Sequence, residues 1–285
     1  MWALCVALIA LTGLFDYLTS HDPRPEWSPA AWLFDEAVIV QALWLAYPTV
    51  GAVIASRRPA NPVGWLFFFA GLLFIVPSLG TAYADYSLYE LHGQLPDTLL
   101  TATVSDKSGF VLLGLLLVFV LLVLVYPDGR LLSRGWRFVA WGAVIGCAVE
   151  ALLVVREPGP LHGYPSIDNP FGIEVSWLVA VTVGMVGMSL AVVSVVLSWM
   201  SWVVRWQRAQ GEERQRLKWF AYGFLLIVVS IVYPWLLSPL ALAVLPVALG
   251  IALLRYHLYD IDVVINRTLV YGALNALLAL VYFGV

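Results

Sequence analysis

The sequence predicts an all-α fold, a polytopic bundle of transmembrane helices, and three observations carry that reading. Hydrophobic residues make up 62% of the chain and charged residues 12%, whereas an ordinary soluble domain carries about 25% charged residues. The apolar residues gather into runs long enough to span a bilayer, since roughly 20 of them in a helix cross about 30 Å of hydrocarbon. Basic residues fall almost entirely in alternate connections between those runs.

About nine runs qualify, and they form a single membrane domain over residues 1–285. They are Trp2 to Leu18, Leu33 to Ala55, Val63 to Ala84, Gly109 to Tyr126, Phe138 to Val155, Val175 to Val204, Phe220 to Leu237, Leu240 to Leu254 and Thr268 to Val285. The first has no basic segment ahead of it and no small-residue cleavage site, so a retained helix is expected rather than a removed signal. Asn61-Pro62 and Asn169-Pro170 precede spans. The residue before a proline avoids the helical region and proline suits a first turn, so turn chemistry explains both. Pro48, Pro77, Pro234 and Pro246 interrupt spans and predict kinks. Only Ser238-Pro239 joins the seventh and eighth runs, which fit either two spans or one broken span. Two spans keep Arg255 to Arg267 on the basic side. The ninth run is still apolar at Val285 without a stop signal, which predicts a cut-off span and a longer chain.

Arg57, Arg58, Arg130, Arg134, Arg137, Arg205, Arg208, Arg214, Arg216, Lys218, Arg255 and Arg267 share one set of loops. Only Arg24, Lys107 and Arg156 lie in the other set. The basic set is expected in the cytoplasm, which places the N-terminus inside and the chain in the cell membrane as a multi-pass protein. The outer connections at 19–32, 85–108 and 156–174 are each far shorter than the roughly 50 residues of an independent domain. A signal would therefore be read by the spans, or by these loops packed together.

Several chemistries are excluded by residue type. Cys5 and Cys147 sit in apolar runs, leaving no disulfide framework or C-x-x-C motif. His21, His92, His162 and His257 all lie in loops, so no pair of helices supplies haem ligands. Lys107 and Lys218 lie at loops or span edges, not where a Schiff-base lysine would sit. Asp16, Asp35 and Glu36 show no metal-ligand spacing. No cofactor, metal or nucleic acid is expected, and no nucleophile or acid–base pair marks an enzyme.

The remaining candidates each have two readings. Glu150 is the clearest ionisable residue inside a span, where charge costs at least about 2.5 kcal/mol. It is either a proton relay or sensing group, or a structural residue approaching the interface near Arg156. Tyr83, Tyr86 and Tyr89 either line a groove for a lipid or hydrophobic signal or belong to an interfacial belt, and Trp199, Trp202 and Trp206 suit a belt on the inner side. Gly142-Ala143-Val144-Ile145-Gly146 allows close helix approach, in a homodimer face or within one subunit. In the inner loop Arg205 to Lys218, Glu212 and Arg216 are spaced to pair on a short helix, at about 0.2–0.5 kcal/mol.

One long stretch carries a family resemblance: Leu254-Arg255-Tyr256-His257-Leu258-Tyr259-Asp260-Ile261-Asp262-Val263-Val264-Ile265-Asn266-Arg267, continuing through Thr268-Leu269-Val270-Tyr271-Gly272. It resembles the loop and following span in the multi-span N-terminal membrane (input) regions of bacterial, actinobacterial-type sensor histidine kinases. Arg57-Arg58-Pro59-Ala60-Asn61-Pro62-Val63-Gly64-Trp65 and Tyr126-Pro127-Asp128-Gly129-Arg130-Leu131 are similar to the same group, as is Arg216-Leu217-Lys218-Trp219. Residues 1–55 are not covered.

The resemblance implies a sensory and signal-transmitting membrane region. It makes Tyr259, Asp260, Asp262, Asn266 and Arg267 candidates for coupling the spans to an output. Kinase boxes are not among these residues, so a response regulator is an expected partner only if a kinase domain follows. The alternative is a small-solute or ion transporter, which needs polar groups or unwound helices near the bilayer midplane.

Overall fold

A computed structural model describes residues 1–19, 41, 43–107, 109–232, 246–248 and 250. The described elements are helical: α1 (Trp2–Thr19), α2 (Ala46–Arg57), α3 (Pro62–Asp85), α4 (Thr98–Asp106), α5 (Gly109–Val125), α6 (Trp136–Val155), α7 (Trp177–Arg208) and α8 (Gly211–Val232). A π-helical turn, Tyr86–Glu90, prolongs α3. Among the described residues the extended backbone amounts to one isolated bridge, Pro160 to Asp168. The chain divides into two units, Met1–Gln207 and Arg208–Val285.

In the first unit α3 is the central element, packing against α1, α2, α4 and α5. Its start is set locally: the Asn61 side chain accepts a hydrogen bond from the Val63 backbone N–H at 3.0 Å, and Pro62 occupies the first turn. Glycines then let α2 and α3 touch backbone to backbone. A Cβ added at Gly51 would stand 2.7 Å from the Gly64 carbonyl oxygen, and one at Gly64 would stand 2.9 Å from the Ala55 nitrogen. Pro48 lies in the first turn of α2, where a missing N–H leaves no bond unmade, and its ring abuts Gly71 of α3. Pro77 lies inside α3, as expected. Cys5, Phe68 and Ile75 form a core between α1 and α3, and Val120, Leu124 and Ala143 form another between α5 and α6.

Four described helical segments are long and apolar enough to cross a membrane: Trp2–Thr19, Pro62–Glu90, Trp136–Val155 and Trp177–Arg208. A fifth arises if α4 and α5, bent by 58°, count as one span. The expected nine spans are therefore not supported. Among the described residues, α5 alone has 17 residues, about 26 Å at 1.5 Å per residue, short of the hydrocarbon thickness. Leu33 to Ala55 is described only at 41 and from 43 onward, and its continuous helix there is the 12-residue α2. Phe220 to Leu237 is described to Val232, as the apolar part of a helix that begins among charges. Pro234, Leu240 to Leu254 apart from four residues, and Thr268 to Val285 lie outside the described residues.

Two expected loops contain helix. The outer connection 85–108 holds the π-helical turn and α4. The inner loop Arg205 to Lys218 is the end of α7 and the start of α8, whose first residue, Gly211, has φ 54. Glu212 and Glu213 open α8, where the positive end of the helix dipole favours anions. Glu212 and Arg216 stand 3.7 Å apart, the spacing expected. Outward faces of α6 and α7 are apolar: Phe138, Trp141, Trp177, Met185 and Val186 are each more than 60% exposed. Water would disfavour so continuous an apolar surface, and acyl chains accommodate it.

Candidate functional site

Buried polar groups of the first unit gather at three places: the two ends of its helices and the seam between α6 and α7.

At one end, the turn leaving α5 locks onto the turn entering α3. Gly129 donates its N–H to the Val125 carbonyl and adopts φ 75, the left-handed conformation that closes a helix. A Cβ there would lie 2.7 Å from both Asn61 Oδ1 and Pro62 Cδ, so only glycine admits the contact. Asn61 is buried, and its Nδ2 donates to the Pro127 carbonyl at 3.2 Å while its Oδ1 caps α3. Arg205, 5% exposed near the end of α7, donates from Nη2 to the Leu124 carbonyl at 2.7 Å and to the Arg130 carbonyl. One guanidinium thus ties the Leu124 carbonyl, in the last turn of α5, to the Arg130 carbonyl of the turn that follows.

Trp199, Trp202 and Trp206 form a ladder beside this end. Their rings lie 5.6 and 5.2 Å apart in succession, and Trp199 also meets Phe119 of α5 at 6.1 Å. The three rings contact one another in series, and Trp199 also reaches α5 through Phe119.

At the opposite end, residues 156–176 form a compact cap. The Tyr164 hydroxyl donates to Asp85 Oδ1 at 2.7 Å. The Gly163 N–H donates to Asp106 Oδ1 at 2.6 Å, and His162 Nδ1 stands 3.6 Å from Asp106 Oδ2. Lys107, nearly buried, pairs with exposed Glu157 at 3.0 Å. Asn169 ties the loop to itself, donating to the carbonyls of Val155 and Glu157 while its Oδ1 accepts from the Phe171 N–H. Leu161 and Tyr164 pack on Ala84 and Ala102 beneath. Burial raises the Tyr164 phenol's pKa above the usual range, and the Asp85 carboxylate adds to the shift.

Within the first unit the described loops therefore sort by end as the basic residues predict: 58–61, 126–135 and Arg205 meet at one, and 85–107 and 156–174 at the other. Of the three connections expected outside, 85–107 and 156–174 pack together, and 20–32 lies outside the described residues.

Between the ends, small residues let α6 and α7 approach closely. A Cβ at Gly146 would lie 2.7 Å from both the Gly187 carbonyl oxygen and the Ala191 nitrogen, so the Gly142 to Gly146 stretch packs within the chain. Glu150 continues the same face. Its Oε1 is buried without a hydrogen-bond partner among the described residues, beside Gly184 and Gly187. No ion pair joins it to Arg156 among the described residues.

No protein-family model, curated protein or solved structure matches the chain.

Of the sequence candidates, Tyr83 and Tyr86 both pack on Phe15, with ring centroids at 5.4 and 5.5 Å, while Tyr89 is exposed. Among the described residues no group of His, Cys, Asp and Glu is placed to hold a metal. Tyr259, Asp260, Asp262, Asn266 and Arg267 lie outside the described residues. Two groups were missed from sequence. Sequence places Arg205 with the basic loop residues, whereas the structure makes it a buried clamp. The Tyr164–Asp85 pair joins residues 79 apart, and neither has a neighbour that signals it.

Proposed function

We propose that the chain is the membrane-embedded sensory and signal-transmitting region of a bacterial two-component sensor histidine kinase or a related signalling protein. In this reading it lies in the cell membrane, with the N-terminus and the Asn61 and Pro127 turns in the cytoplasm and the 156–176 cap outside. The observation that carries it is the hydrogen bond from Asn61 to Pro127. Two sequence pieces that separately resemble the sensor group form one buried knot, closed by Arg205 from a third helix.

A change in the cap would reach that knot through α3, α6 and α7, which end in it or beside it. From there the chain continues to the coupling loop of Tyr259, Asp260, Asp262, Asn266 and Arg267, and on to an output domain. A homodimer partner and a cognate response regulator belong to the same proposal. In the full-length protein, Asp262→Asn and Arg267→Ala should alter reporter output at unchanged membrane levels. Normal output from both variants at normal levels would defeat the reading.

Glu150 favours a second reading, a small-solute or ion transporter, because an unpartnered carboxylate oxygen within a span is a frequent feature of ion pathways. Solute- or proton-driven flux in liposomes that is lost in Glu150→Gln would favour it. Liposomes without flux would leave the sensory reading in place.

A further inference from the structure

The outer halves of α1 and α3 and the helix α4 enclose a cleft of about 520 Å³, within the roughly 300–1,000 Å³ typical of small-molecule sites. Its walls are hydrocarbon: Leu11 and Phe15 from α1, Val76 and Leu79 from α3, Leu100 and Val104 from α4. Polar groups gather at one end, and two of them are already engaged. The Tyr83 hydroxyl donates to the Pro96 carbonyl at 2.7 Å, and the Thr101 hydroxyl donates to the carbonyls of Asp97 and Thr98.

Asp97 differs from both. An aspartate preceding a helix ordinarily caps it, but Asp97 sits at φ 56 and its side chain makes no capping bond to α4. It is exposed, and it is the one ionisable carboxylic acid among the lining residues. The cleft thus presents a long apolar slot with a single anion at its mouth.

We propose that this cleft binds a phospholipid of the outer leaflet bearing an amine headgroup, with one acyl chain in the slot and the ammonium at Asp97. Helix walls of this kind leave a lipid chain as the natural filling in a bilayer, and a carboxylate selects an ammonium that can donate hydrogen bonds to it. Taken as a signal input, the site deepens the sensory proposal by naming the class of molecule read. Its binding test uses no reporter, so failure of one leaves the other standing.

The test places the purified full chain in vesicles carrying a trace of phospholipid with a diazirine in one acyl chain, the head being either ethanolamine or glycerol. After illumination, crosslinked peptides are mapped. The ethanolamine lipid should label peptides from residues 76–104 several-fold more than the glycerol lipid. Asp97→Asn should remove that preference. Val76→Trp and Leu100→Trp, which enlarge side chains already exposed in the cleft, should each abolish labelling there. Equal labelling by both lipids in the unaltered chain would overturn the proposal. So would labelling spread evenly over α6 and α7, or labelling of the cleft that survives both tryptophan variants. Displacement of the lipid by a trace of free long-chain amine would assign the cleft to soluble amphiphiles and overturn the lipid assignment.

Discussion

Arg205 donates to two carbonyls from a buried position at the end of α7. Replacing it with leucine leaves the Leu124 and Arg130 carbonyls without their donor, and charged hydrogen bonds of this kind are each worth about 1.5–3 kcal/mol. Arg205→Leu should therefore lower the thermal midpoint of the purified protein in detergent, and Arg205→Lys should recover part of the loss, since an ammonium lacks the planar fork. Tyr164 carries a pH-dependent contribution. Its phenol holds its proton more tightly when folded, so its stabilisation is complete below the unfolded value of about 10 and is lost as pH rises beyond it. Proteolysis of the 156–176 loop should accelerate above about pH 10 in the unaltered chain. Tyr164→Phe should show no such rise, and should be less protected at neutral pH by about 0.5–1.5 kcal/mol. Neither residue was legible in the sequence. A topology argument treats every arginine near a span end alike, and a tyrosine in a short polar loop gives no hint of a carboxylate on another helix.

Helix α6 meets α7 through glycines whose positions leave no room for a methyl group. Gly146→Ala forces backbone apart at the Gly187 carbonyl and the Ala191 nitrogen, which should cost about 1–3 kcal/mol as overpacking. Gly135→Ala is the matched control: the nearest atom to its added Cβ is the Ser133 hydroxyl, at 3.8 Å. Thermal midpoints measured side by side should separate the two, and equal midpoints would refute the close seam. The start of α3 could be read in advance because Asn61-Pro62 is a local signal, and its course to Ala84 followed from a long apolar run. Helix α4 could not, because Thr98–Asp106 has too few apolar residues to register as a span and takes its place by packing Ala102 beneath the cap. The start of α8 was hidden for a related reason, since a search for apolar runs enters that helix only at Phe220.

At the scale of the first unit, alternation of basic residues along the chain anticipated which loops would share an end. The hydrogen bonds of Asn61 and Arg205 at one end, and of Asp106 and Tyr164 at the other, realise that sorting. Span count was the weaker inference, because among the described residues two of the expected runs form helices too short to cross alone, the 12-residue α2 and the 17-residue α5. The central claim is that the two ends face opposite sides of a membrane, with the Asn61–Pro127 knot inside and the Tyr164 cap outside. The direct measurement is labelling by a membrane-impermeant maleimide, after Cys5→Ala and Cys147→Ala remove the buried native thiols. Ser166→Cys in the cap should label in intact cells, and Ser133→Cys beside the knot only after permeabilisation. Labelling of both in intact cells, or of Ser133→Cys alone, would contradict the account.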